Sequence, residues 1–579
     1  MAEAESVGQA DAVLLSPLTE DTFLHNIHVR YKRDNIYTYV GSALVSVNPC
    51  RPLPLYSAEL VRAYLARPPY QLPPHLYATT AAAYRWVRDR RESQCIVITG
   101  ESGSGKTEAA RVCLQCAVVA GEGASAGAGA GAGAGGALAA AGTLLEAFGN
   151  AATARNHNAS RFGKLLEIEF DFKGEPVGGH ITHYLLEKER AGGAPAGERN
   201  FHVLYQLLAG AEPQLLKRLR LQRSWEHYRL LRGAAPPAAA AAAAAAGSPR
   251  RAPAAATQDR EHFAFTTAAM RALGFSDEEC DAVLRLLAFA LKLGNVEFEP
   301  QHNIDGTIGT RLHHQYELTE ACALVGVDAE ALGGALGAGT DAGAADADSS
   351  EGSEEGAACD ADADAAAAAE WAAALRDRLV CALYSRLFTW LINAVNAAIK
   401  PAEAGKRCSL GVLDVYGFEC LARNGLERLL INYAAERVQA AVTACTLRRE
   451  QELYVAEGLP WRPLHYADHE LQAELLDAGP DSVLGALREC SARGASDAAF
   501  LQRLQRRRHP RLLVLPPDRF QIVHFGGAVV YSARGIVQHD RDALCRRCGA
   551  ALAAAREPLL AALFAPSPPQ PGAGDPNIL

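Results

Sequence analysis

The run Gly100-Glu101-Ser102-Gly103-Ser104-Gly105-Lys106-Thr107 matches the phosphate-binding pattern G-x-x-x-x-G-K-[ST] at every fixed position. Residues 95–98 before it have the β-branched composition of a buried strand, and the residues after it have the spacing of a helix. In such a unit, backbone N–H groups of the loop and the helix N-terminus converge on phosphate oxygens. The sequence therefore predicts a nucleoside triphosphate site, with Lys106 on the phosphates and the Thr107 hydroxyl on Mg²⁺.

Length and composition predict several subdomains around a large sheet in a reducing compartment. The 579 residues exceed what one hydrophobic core usually organises. The net charge of −9 gives no general attraction to nucleic acid or to an anionic membrane. The fourteen cysteines lack a disulfide-scaffold spacing and the N-terminus lacks the features of a secretion signal, which favours the cytoplasm. No run approaches the roughly 18 consecutive apolar residues of a membrane span, so no transmembrane segment is expected.

Three low-complexity segments are predicted to be loops because they lack the aromatic and branched residues that a core needs. They are residues 121–142, 233–256 and the acidic tract 337–370. Residues 1–12 and the proline-rich residues 565–579 are predicted to be disordered, which leaves 13–564 as the folded domain.

The hydrophobic patterns between these segments predict an α/β core. Residues 165–171 and 180–185 alternate as two strands, and the turn between them favours a hairpin. Residues 411–415 form a further apolar strand, whereas 200–208 and 376–399 have helical spacing. Strands mixed with long helices are typical of α/β proteins.

Two polar segments could complete a triphosphatase, which needs to sense the γ-phosphate and to orient the attacking water. Residues 156–164 (N-H-N-A-S-R-F-G-K) enter a strand, and residues 414–419 (D-V-Y-G-F-E) leave one. For either segment taken alone, an ordinary polar loop is the favoured interpretation. Their order after the glycine loop favours the functional interpretation.

The three segments together resemble the myosin motor domain, whose pattern is a G-E-S-G-A-G-K-T loop, an N-x-N-S-S-R-F-G-K first switch and a D-I-x-G-F-E second switch. Residues 145–151, 197–202, 293–295, 431–461 and 524–531 also resemble family stretches. The resemblance covers residues 13–564. It implies an α/β P-loop NTPase fold with a central, mostly parallel twisted sheet flanked by helices, plus helical actin-binding subdomains.

Within that family the chain is most similar to class I, single-headed, membrane-associated myosins. The similarity rests on residues 171–181 and on a start that leaves no room for the N-terminal barrel of filament-forming myosins. The family continues beyond Phe564 with a converter, calmodulin-binding motifs and a lipid-binding tail. A truncated motor is therefore expected, in which calmodulin light chains and anionic phospholipid would bind only to absent parts.

The resemblance also implies roles for individual residues. Asn48 and Pro49, followed by Tyr56, are similar to the adenine-side loop, and Asn156 would contact phosphate. The whole loop Gly100 to Thr107 would bind ATP.

The catalytic and metal-binding roles come from the two switches. Ser160 would join Thr107 as a Mg²⁺ ligand, with Asp414 acting through a bound water. The Gly417 N–H would bind the γ-phosphate. Arg161 and Glu419 would pair when the switches close, shielding the site and holding the attacking water. The implied catalytic set is Ser160, Arg161, Gly417 and Glu419.

The chain departs from the family pattern at several places. Ala159 stands where the family usually has a serine whose hydroxyl touches the attacking water, which predicts a slow ATPase. Residues 431–461 resemble the family's relay helix and its loop. Just before them, residues 424–427 (N-G-L-E) replace N-S-F-E and are expected to loosen the start of that helix. The acidic tract would repel actin at longer range. The arginines between 503 and 511 could face actin or form a solvated helix face.

The sequence thus predicts a Mg-dependent, actin-activated ATPase head that moves actin filaments and membrane vesicles. Its expected partner is filamentous actin, and its expected locations are the cytoplasm and the actin cytoskeleton, with the plasma membrane or vesicles for a full-length protein. One alternative is a nucleotide-responsive actin tether or an inactive truncated motor. A further alternative is another kind of P-loop NTPase.

Overall fold

The computed structural model describes residues 7–68, 71–122, 134–154, 156–232, 251–302, 308–337, 361–401, 407–466, 470–542 and 544–566. Its central sheet has the strand order β3-β10-β6-β7, and a second sheet has the order β11-β12-β13. Three two-stranded ribbons pair β1 with β2, β4 with β5 and β8 with β9. The strands are β1 Tyr37–Val40, β2 Ala43–Ser46, β3 Gln94–Ile98, β4 Asn150–Ala151, β5 Ala159–Ser160, β6 Gly163–Phe170, β7 Pro176–Tyr184, β8 Phe298–His302, β9 Ile308–Leu312, β10 Cys408–Asp414, β11 Leu512–Leu515, β12 Arg519–His524 and β13 Gly527–Ser532.

One edge of the central sheet collects the three polar segments. Strands β3 and β10 run parallel with Ile98 opposite Asp414, so the glycine loop and the residues after Asp414 leave the sheet side by side. Strand β6 runs antiparallel to β10 with Lys164 opposite Asp414, so the loop before β6 enters at the same edge. Ligands of α/β proteins bind outside the carboxyl ends of such strands.

The α/β class is confirmed, but the pairing of the described central strands is mixed. Only β3 and β10 pair in parallel, whereas β6 pairs antiparallel with both β10 and β7. The expectation of a mostly parallel sheet is therefore wrong for these strands. The predicted hairpin explains the antiparallel pairing of β6 with β7, because two strands joined by a short turn must run antiparallel.

The helices flank this sheet and, within the described ranges, build three hydrophobic cores. The largest core surrounds the long helix Ala361–Ile399, which buries one apolar residue every fourth position: Leu379, Leu383, Leu387, Leu391 and Val395. A second core joins the three-stranded sheet to helix Leu426–Thr443, and a third lies under the glycine loop.

The helical bounds in chain order confirm the predicted helices. They are Glu20–Tyr31, Ala58–Ala66, Leu76–Arg85, Lys106–Glu122, Ala134–Gly149, Glu189–Gly192, His202–Gly210, Pro213–Arg218, Arg229–Arg232, Arg251–Ala272, Asp277–Leu293, Gln315–Val325, Ala329–Gly337, Ala361–Ile399, Leu426–Thr443, Arg449–Ala456, Glu470–Asp477, Val483–Arg493, Asp497–Arg506, Ile536–Arg541, Arg546–Ala553 and Pro558–Phe564.

The predicted low-complexity loops are partly helical. Helix Ala134–Gly149 takes up residues 134–142, and helices Arg251–Ala272 and Ala361–Ile399 take up residues 251–256 and 361–370. Alanine has the highest helix propensity, so an alanine-rich stretch extends a neighbouring helix even though it has few core residues. Residues 123–133, 233–250 and 338–360 lie outside the described residues, and with them most carboxylates of the acidic tract.

The prediction for the N-terminus is wrong for residues 7–12. The Gln9 backbone N–H donates to Asn26 Oδ1 at 2.7 Å, and Ala12 is buried. Asn26 also donates to the Gln9 carbonyl, so both backbone polar groups of Gln9 are hydrogen-bonded to a side chain of helix Glu20–Tyr31. These two bonds hold the N-terminal residues against the helix. Residues 1–6 and 567–579 lie outside the described residues.

One helix among the described residues is long and apolar enough to cross a membrane by length and composition. It is Ala367–Ile399, within the central helix of the largest core. Slightly more than half of its most apolar window is buried inside the protein, as in a core helix.

Candidate nucleotide-binding site

The glycine loop curls at the end of β3 because glycines occupy positions that other residues rarely adopt. Gly103 and Gly105 have φ angles of +85° and +95°. The Asn48 side-chain amide crosses to the loop and donates to the Gly103 carbonyl at 2.8 Å. Helix Lys106–Glu122 then begins within the motif, which directs its N-terminal N–H groups at the loop.

Lys106 is held by the loop itself in this structure. Its ammonium donates to the carbonyl oxygens of Gly100 and Glu101, each at 2.8 Å. Burial lowers the pKa of Lys106 below its ordinary value, and the negative charges of Asp414, Glu419 and Glu101 oppose this effect. The ammonium thus lies at the cavity wall with polar partners that a phosphate group could replace.

The two predicted Mg²⁺ ligands lie together. The Thr107 and Ser160 hydroxyl oxygens are 2.9 Å apart, although they are 53 positions apart in sequence. Pairing of β4 with β5 places Ser160 opposite Asn150, so this ribbon holds the backbone of Ser160 in position. Magnesium binds oxygen at about 2.0–2.1 Å in octahedral geometry, so neighbouring ligands lie about 2.9 Å apart. The hydroxyl pair fits such an ion.

Asp414 is buried beside this pair at the end of β10. Its carboxylate lies 3.7 Å from the Lys164 ammonium across the strand pair. Across the part of the chain that the structure describes, no group of three or more His, Cys, Asp or Glu side chains could hold a metal ion. The donor set therefore consists of hydroxyls with one nearby carboxylate, which is typical of Mg²⁺ bound through phosphate and water.

Gly417 directly contacts the glycine loop. A Cβ atom at this position would lie 1.8 Å from the Gly100 carbonyl oxygen, so no other residue fits without a shift of the backbone. The segment after β10 and the loop after β3 therefore touch through their backbones.

Glu419 is positioned by a buried polar network. Its backbone N–H donates to Asn432 Oδ1 and its carbonyl accepts from Asn432 Nδ2, both at 2.8 Å. Asn432 also donates to the Tyr531 hydroxyl, which lies 2.8 Å from His524 Nε2. Helix Leu426–Thr443 and strands β12 and β13 thus hold the backbone at Glu419.

Arg161 has its shortest contact with a residue that the sequence analysis did not select. Its Nε lies 2.6 Å from Glu187 Oε2, whereas its NH1 lies 4.0 Å from Glu419 Oε1. Burial alone would raise the pKa of Glu187, but the charges of Arg161 and Arg190 hold that pKa well below its usual range. The predicted Arg161–Glu419 pair is at the outer limit of an ion pair here, and its closure remains a prediction.

The first switch is held by its own side chains. Asn156 Oδ1 accepts from the Asn158 backbone N–H at 3.0 Å. The Asn158 amide in turn donates to Glu146 at 2.6 Å and its oxygen lies 3.1 Å from His202 Nε2. Asn156 lines the cavity, and Ala159 is buried in its wall.

These segments surround a cavity of about 700 Å³, which lies within the usual range for a small-molecule site. Most predicted site residues line it: Asn48, Ser102, Gly103, Gly105, Lys106, Thr107, Asn156, Ser160, Arg161, Gly417 and Glu419. Gly100, Glu101 and Ser104 belong to the loop without lining the cavity, and Asp414 lies behind the wall.

Two residues of the predicted adenine-side loop lie outside the cavity wall. Pro49 and Tyr56 do not line it. The Tyr56 hydroxyl is instead 2.7 Å from the Tyr37 hydroxyl, and its ring packs near His75 and Tyr77. Their role in nucleotide binding stays a prediction.

The sequence analysis missed several residues around the site. Glu187, Arg190 and Arg428 surround the pair of switches, and Arg111 and Gln115 line the cavity from helix Lys106–Glu122. A charged residue three positions after the end of β7 was the only signal for Glu187. Nothing in the spacing distinguished Arg428 from Arg437, the exposed arginine of the same helix.

Comparison with known families and proteins gives matches over nearly the whole chain. Residues 9–574 match the family model described as Myosin head (motor domain), slightly beyond the predicted bounds 13–564. Unconventional myosin-Ib of Homo sapiens is 38% identical over 576 residues, which are 96% of this chain and 48% of that protein. Unconventional myosin-Ia of Bos taurus is 38% identical over 585 residues, 98% of this chain and 52% of that protein. The chain therefore spans about half the length of these relatives.

Proposed function

This chain belongs to the myosin head (motor domain) family, and on that premise we propose that it is the ATP-hydrolysing, actin-binding head of an unconventional class I myosin. The observation that carries the proposal is the convergence of three segments on one cavity, with the Thr107 and Ser160 hydroxyls 2.9 Å apart. A glycine loop alone would serve many NTPases. The two switches beside it are what a γ-phosphate sensor requires.

Each residue of the site has a separate role in phosphoryl transfer. The ammonium of Lys106 exchanges its loop carbonyls for phosphate oxygens, and the Gly417 N–H donates to the γ-phosphate. Thr107 and Ser160 would hold Mg²⁺, with Asp414 behind them, and the ion would supply charge neutralisation at the phosphates. Arg161 and Glu419 close over the site and exclude bulk water.

Ala159 supports a slow hydrolysis step. The methyl group in the cavity wall can neither donate a proton to the attacking water nor accept one from it. Positioning and charge stabilisation provide most of the catalysis in this reaction, so activity is reduced rather than lost.

Filamentous actin is the proposed partner, with the actin cytoskeleton of the cytoplasm as the location. Actin is acidic, and Arg506 and Arg508 present exposed positive charge at the end of helix Asp497–Arg506. Arg503 is less available because it pairs with Glu489 at 2.5 Å. Calmodulin light chains, anionic phospholipid and vesicle movement are proposed only for a longer protein that contains the neck and tail.

Cosedimentation with filamentous actin, with and without Mg-ATP, tests this proposal. We expect binding without nucleotide and release on addition of Mg-ATP. Actin binding that ATP fails to weaken would contradict the motor function, and the absence of actin binding would favour another P-loop NTPase.

A matched pair of glycine variants tests the site itself. Gly417→Ala should abolish ATP-dependent release, because the new Cβ would overlap the Gly100 carbonyl. Gly142→Ala should behave as wild type, since Gly142 also lines the cavity but a Cβ there meets no atom within 4 Å. Equal behaviour of the two variants would refute the assigned contact.

A nucleotide-responsive actin tether is the second candidate, and Ala159 is the observation that favours it. Steady-state ATP turnover separates the two functions. A tether releases actin on nucleotide binding without measurable turnover, whereas a motor head turns over ATP and does so faster with actin.

A further inference from the structure

Two arginines bridge the same two carboxylates between the switches. Arg428 lies 3.1 Å from Glu187 Oε1 and 3.0 Å from Glu419 Oε2. Arg161 lies 2.6 Å from Glu187 and 4.0 Å from Glu419. The four charges form a closed ring with one long edge between Arg161 and Glu419. We call this pair the gate, because it is expected to close when the switches close.

This ring is buried, so its charges depend on one another. The side chains of Arg161, Glu187 and Glu419 are at most 10% exposed and that of Arg428 is 13% exposed. Arg190 joins the ring through Glu187 and is itself paired with Glu198 at 2.7 Å. A buried carboxylate without a cation is strongly disfavoured, so Glu419 must remain close to at least one arginine.

The contact between Arg428 and Glu419 is an ion pair without an aligned hydrogen bond. Although the atoms are 3.0 Å apart, Arg428 Nε and Glu419 Oε2 have no hydrogen-bond partner among the residues that the structure describes, and neither has Arg428 NH1. Charge attraction does not require alignment, whereas a hydrogen bond does. Glu419 can therefore leave Arg428 without breaking a directed bond.

Arg428 also connects the ring to a different element. It lies in the first turn of helix Leu426–Thr443, whereas Arg161 lies in the loop before β6. The backbone of Glu419 is held by Asn432 of the same helix. The carboxylate of Glu419 is thus attracted to the helix on one side and to the first switch on the other.

We propose that Arg428 is a positioning residue that shares Glu419 with Arg161 and holds the gate between the switches open until a triphosphate is bound. On closure, the Glu419 carboxylate moves from Arg428 of helix Leu426–Thr443 to Arg161 of the first switch. This inference rests on the proposed nucleotide site. It adds a direct electrostatic link between that site and the start of helix Leu426–Thr443.

The test compares the affinity for a non-hydrolysable ATP analogue with that for ADP, both with Mg²⁺. Arg428→Gln leaves Arg161, which also pairs with Glu187, as the remaining arginine of the ring that Glu419 can approach. Closure then becomes easier, and the analogue should bind about fivefold more tightly. ADP affinity should change less than about twofold, because no γ-phosphate is present to draw the gate closed.

Two further variants keep the test specific. Arg428→Lys retains the charge, but its single ammonium cannot bridge two carboxylates as a guanidinium does, so an intermediate shift is expected. If Arg428→Gln does not fold, the affinities of Arg428→Lys for the analogue and for ADP provide the test. Arg437→Gln removes an exposed arginine of the same helix and should leave both affinities unchanged.

The outcomes separate this inference from the proposed function. A protein that binds the analogue and shows the selective shift supports Arg428 even if it hydrolyses no ATP, in which case only the motor function fails. Equal shifts for the analogue and ADP, or an effect of Arg437→Gln as large as that of Arg428→Gln, would overturn the inference. Absence of any nucleotide binding by the wild type would overturn both.

Discussion

At the scale of single residues, the site differs from its family pattern chiefly at Ala159. The residue lies in the short strand β5, opposite Ala151, and next to Ser160, which meets Thr107. Its backbone is thus positioned by strand pairing that does not depend on its side chain. A change at this position should alter the chemistry of the cavity wall without displacing the metal-binding hydroxyls.

The variant Ala159→Ser should accelerate ATP hydrolysis. A hydroxyl at this place in the wall could relay a proton from the attacking water, and such proton transfer typically contributes about 10²–10⁴-fold. We expect at least about a tenfold faster hydrolysis step in rapid-quench measurements, with ATP binding unchanged. An unchanged hydrolysis rate would mean that the missing hydroxyl does not limit the reaction.

His75 should make the stability depend on pH. The ring is buried among tyrosines, its Nδ1 accepts the Tyr77 backbone N–H at 3.0 Å, and its Nε2 lies 3.2 Å from the Leu55 carbonyl. Burial lowers the pKa of His75 to about 4, and the contact with the Leu55 carbonyl opposes this only in part. Protonation in the unfolded chain occurs near pH 6.5, so the stabilisation is complete above that pH and is lost as pH falls towards 4.

This shift predicts that the free energy of unfolding falls by about 2 kcal/mol through His75 between pH 7 and pH 5. The variant His75→Asn keeps an N-cap acceptor but does not titrate, so its pH dependence should be weaker by that amount. Urea unfolding of both proteins at the two pH values measures the difference. Parallel pH dependence in the two proteins would show that His75 does not titrate as described.

At the scale of elements, alanine-rich composition separates helices from loops poorly in this chain. Helix Ala134–Gly149 begins in a stretch that composition assigned to a loop, yet Leu138, Ala141 and Leu144 are completely buried at helical spacing. The helix also supplies Glu146, which holds Asn158 of the first switch. Its packing therefore supports one wall of the nucleotide cavity.

Replacement of Leu138 by Ala should destabilise the protein by about 3 kcal/mol, because it leaves a cavity in a fully packed core. The exposed Thr143 of the same helix provides the control, since Thr143→Ala should change stability by less than about 0.5 kcal/mol. Denaturant midpoints of the two variants give the comparison. A loop at this position would make the two substitutions equally mild.

At the scale of the whole molecule, the elements that border the site belong to all three hydrophobic cores described above. The glycine loop leads into a helix of the third core, helix Leu426–Thr443 belongs to the second, and the first switch packs on the largest. A ligand that contacts all three should stabilise the whole protein against unfolding.

Mg-nucleotide at one hundred times its dissociation constant should raise the free energy of unfolding by about 2.7 kcal/mol. Thermal unfolding with a non-hydrolysable ATP analogue measures this as a higher midpoint. Removal of Mg²⁺ with a chelator should abolish most of this increase in the unfolding midpoint, because Thr107 and Ser160 then lose the ion that they would share with the phosphates. Lys106→Ala should show no shift, and a shift as large as that of the wild type would contradict the assigned phosphate contact.

The glycine loop with Thr107 and the hairpin of β6 and β7 could be predicted from the residues alone, because local backbone geometry and hydrophobic period are visible in a linear chain. Ser160 was selected only through the resemblance to the family. Which charged residues face one another depends on the tertiary structure. Arg428 and Glu187 are 241 positions apart, and they meet because the order of the central strands brings their segments to one sheet edge. Burial then turns ordinary surface residue types into a coupled ring, since the interaction of charges depends on their distance and surroundings rather than on their order in the chain.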